Sequence, residues 1–255
     1  MLINNKADIN KCTYTEESPL FIVCQEGHTE IVQMLINNKA DINKCNDTGS
    51  SALINSCVKG YTEIVQMLIN NKADINKCTY TREPPLFIAC PKGHSEIVQM
   101  LMNNRADINK CTYTRSSPLF IACQEGHTKI AQMLINNKAD RNKCNDTGAS
   151  PLINSCVKGY TEIVQMLINN KADISKCTDT GESGLFIACQ KGHTEIVHLL
   201  INKKADMNTC TDTGTSPLFI ACQEGHSEIL NMLLNNKADI DKCNDEEISP
   251  LHIAC

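Results

Sequence analysis

The sequence predicts an all-α solenoid of short helix–turn–helix units stacked in one continuous array. Three observations carry that expectation. The 16 cysteines fall on two ladders, at 12, 45, 78, 111, 144, 177, 210 and 243 and at 24, 57, 90, 123, 156, 189, 222 and 255, and every step is 33 residues. A fixed period between about 20 and 50 marks stacked copies of one supersecondary unit. Inside each period, a short segment opening near Ser-Pro and closing at Gly is followed by a second, strongly apolar one. The 255 residues contain no Trp and only 4% aromatics, although 42% are hydrophobic and 21% charged, so the chain is globular without a core of bulky rings.

The period divides the chain into seven full units, 13–45, 46–78, 79–111, 112–144, 145–177, 178–210 and 211–243, flanked by the back part of one unit at 1–12 and the front part of another at 244–255. In the first full unit, Ser18-Pro19 reads as an N-cap followed by the first helical position, where the missing proline N–H costs nothing. Gly27 closes that helix, because a left-handed residue beyond a helix C-terminus favours glycine, and it recurs at 60, 93, 126, 159, 192 and 225. A second helix starts near Thr29, with Glu30 in the first turn facing the positive end of the macrodipole. Its Ile31, Val32, Met34, Leu35 and Ile36 cover most of the circumference, which calls for neighbours on several sides. Helices of about eight residues do not persist alone, so burial between repeats must order them.

Ser18-Pro19-Leu20, Gly27-His28, Glu30-Ile31-Val32 and Ala40-Asp41-Ile42-Asn43 resemble the ankyrin repeat, a 33-residue unit with a Thr-Pro-Leu-His opening, over essentially the whole chain. The resemblance implies helix–turn–helix units joined by β-hairpin finger loops, with fingers and first helices lining a concave groove. Two departures bear on the physics. The family's His after Leu, which ties neighbouring repeats by hydrogen bonds, is Phe21, Phe87, Phe120, Phe186 and Phe219 here, Ile54 and Ile153 in two copies, and His only at His252; an apolar contact is expected to replace the polar tie. The family's left-handed Gly before Ala-Asp is Lys39, Lys72, Arg105, Lys138, Lys171, Lys204 or Lys237. These residues are expected to keep φ > 0 at roughly 1 kcal/mol each, the alternative being that Asn38 and its equivalents take the left-handed role.

Several chemistries weigh little. A formal charge of −5 leaves no Lys/Arg excess for phosphates, so no nucleic-acid partner is expected. No apolar run approaches the roughly 18 residues that span a bilayer, and no secretory signal is visible, so a reducing, cytoplasmic setting without membrane contact is expected. Cys24/His28 and four equivalents have the spacing of a metal half-site, but Gly27 interrupts the helix between them and Tyr61 and Tyr160 replace His in two units. Cys24 therefore reads as a small core residue, and no metal or cofactor is expected. The ladder from Cys12 to Cys243 is too widely spaced for disulfides along it, and nothing nearby marks it as a redox sensor. Asn46-Asp47-Thr48 and Asn145-Asp146-Thr147 match a glycosylation pattern but read as turns. Ser, His and Asp sit at periodic positions claimed by caps and turns, so no catalytic triad is indicated and no enzyme is expected.

The copies also record a history. Units 46–78 and 145–177 differ only at Ser50/Ala149, Ala52/Pro151 and Asn76/Ser175, as expected after duplication of a three-repeat block. What repeats everywhere maintains the fold, so candidate contacts lie where copies differ. At the finger these are Tyr14, Tyr80 and Tyr113 against Asp47, Asp146, Asp179 and Asp212, then Glu16, Arg82 and Arg115 where four units have Gly, with Glu17 beside them. On the first helices they are Gln25, Glu26, Val58, Lys59, Pro91, Lys92, Gln124 and Glu125. Tyr and Arg are enriched in interface hot spots. The expectation is a protein-binding scaffold with a partner the sequence does not name. The alternatives are a regulatory or targeting segment of a longer enzyme or channel, and a passive spacer. Because 1–12 lacks its first helix and 244–255 its second, fraying and end-to-end self-association through uncapped termini are expected as well.

Overall fold

The computed structural model describes residues 7–254. The partial helix expected around Met1 and the last rung of the second cysteine ladder, Cys255, lie outside the described residues. The chain forms two compact units, Met1–Ala122 with Asn136–Ala139, and Cys123–Ile135 with Asp140–Cys255. In the first, the first helices of successive repeats are α1 (Pro19–Glu26), α3 (Ala52–Lys59) and α5 (Pro85–Ala89), and the second helices are α2 (Thr29–Asn37), α4 (Thr62–Asn70) and α6 (Ser95–Asn103). First helices pack on first helices, α1 on α3 and α3 on α5, and second helices do likewise, α2 on α4 and α4 on α6. The unit boundary falls within α7 (Pro118–Gln124). The second unit repeats the pattern with α8 (Thr128–Asn136), α9 (Pro151–Lys158), α10 (Thr161–Asn169), α11 (Gly184–Lys191), α12 (Thr194–Asn202), α13 (Pro217–Gln223), α14 (Ser227–Asn235) and α15 (Pro250–Ala254). There α9, α11, α13 and α15 pack in sequence, as do α10, α12 and α14.

The caps form where the sequence places them. Ser18 Oγ accepts the Phe21 amide at 3.2 Å, and Ser51, Ser117, Ser150, Ser183 and Ser216 cap their helices in the same way. Gly27 ends α1 at φ 78°. The helix α5 is the exception to the expected length of about eight residues, covering only five. Pro84 replaces the capping Ser, so no side chain caps it, and Pro91 has no N–H with which to continue the turn.

Each second helix ends in a left-handed residue, as expected. Lys39, Lys72, Arg105, Lys138, Lys171, Lys204 and Lys237 have φ between 63° and 68°. Asn38 instead sits at φ −93°, its amide donating to the Met34 carbonyl at 2.9 Å. The left-handed turn lets Ala40 N reach Leu35 O at 3.0 Å, closing the helix and burying Ala40.

The core is a column of small and aliphatic side chains. Leu20, Cys24, Val32, Leu53, Cys57, Val65 and Leu68 are all but sealed from solvent, as are Leu152, Cys156, Val164 and Leu167 in the second unit. Phe21 and Phe87 are buried too, at the position where the family carries its tying His. Polar bonds join successive repeats through the loop after each second helix: Asn10 Oδ1 accepts the Asp41 amide at 2.9 Å, Asn43 that of Asp74, Asn76 that of Asp107, Asn142 that of Asp173 and Asn208 that of Asp239. This ladder follows directly from the 33-residue period.

Replacing a left-handed lysine by Gly, as in Lys72→Gly, is expected to stabilise the fold by about 0.5–1 kcal/mol, because relief of the positive-φ cost exceeds the extra entropy glycine has when unfolded. Urea denaturation checks this, and Asn71→Gly serves as the control that brings no gain.

Candidate functional site

Each finger is a tight turn rather than a true hairpin. In the first, Thr13 N donates to Glu17 O and Glu16 N to Thr13 O, both at 3.1 Å. The only β-bridges among the described residues are Cys45 with Ser51 and Cys177 with Ser183, because so few residues flank each turn that no ladder can extend. Neighbouring fingers are tied by one backbone bond apiece. Tyr80 N donates to Thr48 O at 3.0 Å in the first unit, and Asp179 N to Thr147 O at 3.0 Å in the second. The turn forces its fourth residue into the left-handed region. Gly49, Gly148, Gly181 and Gly214 meet this freely, whereas Glu16, Arg82, Arg115 and Glu247 adopt it at φ 57–63°. The alternation of Gly with charged residues at this position was visible in the sequence; that it carries backbone strain follows from the turn.

In the first unit an open cavity of about 520 Å³ lies between the fingers at 47–50 and 79–83. Its floor comes from first helices, through Ile54, Val58 and Ile88, and its walls from Asp47, Thr48, Ser50, Thr79, Tyr80, Thr81 and Glu83. Val58 was expected on the floor; Ile54 and Ile88 were not singled out, because their apolar character marked them as core. Tyr80 and Tyr113 are 67% and 66% exposed, and Tyr14 is fully so. Tyr80 lies against the backbone of Gly49, where an added Cβ would come within 2.9 Å of its ring. The Arg82 guanidinium lies 5.3 Å from the centre of the Tyr113 ring on the next finger, a cation–π contact. Glu16, Glu26, Lys59 and Lys92 are exposed, while Glu17 and Gln25 are half-buried. Gln25 Oε1 accepts from Asn55 Nδ2 at 3.4 Å.

In the second unit, exposed Asp146, Asp179 and Asp212 occupy the finger position held by Tyr80 and Tyr113 in the first. Asp179 and Asp212 press on Gly148 and Gly181 of the preceding fingers, leaving no room for a Cβ. On the first helices, Gln124 donates to Glu125 Oε1 at 3.0 Å. Asn154, the counterpart of Asn55, therefore lacks the partner that Gln25 supplies there, and its Nδ2 is buried with no acceptor.

The Cys/His pairs separate on folding. Cys90 is sealed in the core, whereas the His94 ring covers Gly60 of the preceding repeat and its Nε2 donates to the Val58 carbonyl at 3.4 Å. His226 does the same on Gly192 and the Gln190 carbonyl, at 3.2 Å. Tyr61 covers Gly27, and Tyr160 covers Gly126. The apolar residues expected in place of the family's tie are buried, and a second repeat-to-repeat contact accompanies them. The phenylalanines do fill the core, but a ring at the turn between the two helices restores a repeat-to-repeat contact, with a hydrogen bond where it is His94 or His226. Sequence spacing drew attention to these rings only as metal ligands; packing on glycine explains why both His and Tyr serve.

Where folding shifts a thiol, it shifts it away from the thiolate. Burial pushes the Cys24, Cys123 and Cys156 thiols up to about 12, and those of Cys57 and Cys189 higher still. On the other ladder each thiol donates to the backbone carbonyl two residues earlier, Cys78 to Asn76 at 3.5 Å and Cys210 to Asn208 at 3.4 Å. Burial raises the Cys78, Cys177 and Cys210 thiols as well. Asn46, of the glycosylation pattern, is buried, and its Oδ1 accepts from Thr48 N, Thr48 Oγ1 and Ser50 N, so it is the keystone of a turn.

Paired short helices, left-handed loop residues and projecting turns at a constant period define a helical repeat protein. Family models described as "Ankyrin repeats (3 copies)" match residues 1–79, 86–177 and 158–244, and one described as "Ankyrin repeats (many copies)" matches residues 57–102. The chain belongs to the ankyrin-repeat family. Comparison with curated proteins returns no match. Ankyrin repeats generally mediate protein–protein interaction and are typically non-catalytic. Among the described residues, no helix is long and apolar enough to cross a membrane.

Two outcomes follow from the buried groups. The core thiols are protonated when folded but titrate near 9.0 when exposed, so the stability they contribute is intact below pH 9 and is lost as pH rises from 9 toward 12. Thermal melts are expected to hold level to about pH 8.5 and then fall by roughly 1 kcal/mol per pH unit for each buried thiol, and Cys156→Ala should flatten the slope. Asn154→Ile, which installs the residue found at the equivalent Ile187 and Ile220, is expected to add about 1–2 kcal/mol by removing the unpaired amide, as read by urea denaturation.

Proposed function

We propose that this chain is a protein-binding scaffold whose seven full repeats, 13–243, act as one array and hold a partner protein against the fingers and first helices, without catalysis and without a cofactor. The observation that carries the reading is the open cavity between the fingers at 47–50 and 79–83, where apolar Val58 and Ile88 meet exposed Tyr80. A half-apolar trough with aromatic walls suits a protein segment, since burying Tyr and aliphatic surface supplies affinity while the threonine-lined rim satisfies a backbone. Tyr14, Glu16, Glu17 and Tyr113 extend this surface along the fingers, and Gln25, Glu26, Lys59 and Lys92 extend it along the first helices; in the second unit the corresponding first-helix residues are Gln124 and Glu125. In the second unit Asp146, Asp179 and Asp212 give the same position an acidic character. Sixteen cysteines with no disulfide among the described residues suit a reducing, cytoplasmic setting.

Affinity capture on the full chain, with identification of the bound proteins, is expected to yield partners whose retention drops at least about tenfold when Tyr14, Tyr80 and Tyr113 become Ser. Capture untouched by that triple substitution, with cross-links confined to the second helices, would overturn the reading.

A further inference from the structure

We infer that the finger surface of the first unit receives an acidic peptide segment carrying an aliphatic anchor, with Arg82 and Arg115 as the groups that select its charge. This rests on the reading of the fingers and first helices as a protein-binding surface and adds to it the chemistry of the partner.

The first argument is conformational. The fourth finger residue must be left-handed, and four fingers use Gly there. Arg82 and Arg115 hold the same conformation at φ 63° and 57° with a side chain that opposes it. The turn itself does not need them, because glycine would make it at lower free energy. Backbone strain carried by an exposed charged side chain points to a use for that side chain outside the turn. The second argument is preorganisation. The Arg82 guanidinium lies over the Tyr113 ring, 5.3 Å from its centre, a contact that restrains the side chain before any partner arrives. Among the described residues no carboxylate pairs with either guanidinium, and the nearby Glu83 carboxylate already accepts from Thr81 Oγ1 at 2.7 Å. Two arginines on adjacent fingers, one of them stacked, form a receptor for carboxylates, which guanidinium binds through two parallel N–H donors.

The third argument is register. The aliphatic floor of Val58 and Ile88 lies beside Tyr80, one finger before Tyr113 and Arg115. A neutral apolar side chain set there, beside the Asp47 and Glu83 that also line the cavity, leaves the acidic residues of an extended segment to lie along Arg82 and Arg115. The fingers of the second unit carry Gly148, Gly181 and Gly214 in place of the arginines and Asp146, Asp179 and Asp212 in place of the tyrosines, so an acidic segment is repelled there.

The test pans a random dodecapeptide library displayed on phage against the full chain and against the Arg82→Gly/Arg115→Gly variant. Glycine suits the left-handed turn, so the variant is expected to melt at a higher temperature than the parent, which separates lost binding from lost folding. The expected result is enrichment of acidic peptides with a Leu, Ile or Phe anchor. Their synthetic versions should bind the parent more weakly as salt rises and bind the variant on the order of a hundredfold more weakly, about tenfold per arginine. Gln66→Ala/Gln99→Ala, on the second helices α4 and α6, should leave that affinity unchanged. Enrichment of neutral or basic peptides, acidic peptides that bind the variant equally well, or oligouridylate outcompeting the peptides on the parent would each overturn the inference. If neutral or basic peptides are enriched and their binding depends on Tyr80 and Tyr113, the scaffold reading stands and only the acidic partner fails. If no peptide binds through the fingers at all, both fail.

Discussion

Helices of eight or nine residues are too short to hold their shape alone, and every other feature of the molecule follows from that constraint. A helix such as α4, with Ile64, Val65, Leu68 and Ile69 all buried, becomes stable only between α2 and α6. Within each unit the hydrophobic column is therefore shared, and a residue such as Cys57 or Leu68 is sealed from water by the repeats on both sides. The low aromatic content fits this arrangement. A thin layer between neighbouring helices takes Ala, Cys, Val, Leu, Ile and at most one Phe per repeat, and leaves no volume for Trp.

Two sets of hydrogen bonds and one ring contact bring register to that apolar stack. Asparagine side chains reach the next repeat's Asp amide, finger backbones bond across neighbours, and His or Tyr rings lie on the preceding repeat's helix-ending glycine. Each net hydrogen bond is worth on the order of 1 kcal/mol, less than the apolar burial, but each acts at one geometry only. Burial resists separation of the repeats, while the ties resist sliding. The glycine contact also explains a tolerance that puzzled at the level of residue type. A flat ring on a Cβ-less backbone serves equally well as imidazole or phenol, so Tyr61 and His94 are interchangeable there.

A fold this redundant frees some positions from structural duty. The cysteines are not among them: Cys24, Cys57, Cys90, Cys123, Cys156 and Cys189 are core, and the thiols of the other ladder are engaged with backbone carbonyls. The finger positions are free, and there the two units diverge, one bearing Tyr80, Arg82, Tyr113 and Arg115, the other aspartates and glycines. Surface chemistry is written on a scaffold that tolerates its cost at a few finger positions, which is what allows one repeat to be copied and then specialised.

Much of this was legible from the chain alone. The period of 33, the Ser-Pro starts, the closing glycines and the left-handed lysines follow from local chemistry repeated in order, since helix caps and φ > 0 turns are decided by residues within four positions of one another. The shortening of α5 between Pro84 and Pro91 departs from the uniform helices of about eight residues expected from the sequence. The groove floor was less legible, because Ile54 and Ile88 read as core until the fingers were placed beside them. The ring of His94 on Gly60, the guanidinium of Arg82 over Tyr113 and the stranded amide of Asn154 were decided by tertiary structure. They join or isolate residues about one repeat apart, and whether two such groups touch depends on the rotation and rise between neighbours, a quantity set by packing across the whole interface rather than by any short stretch of sequence.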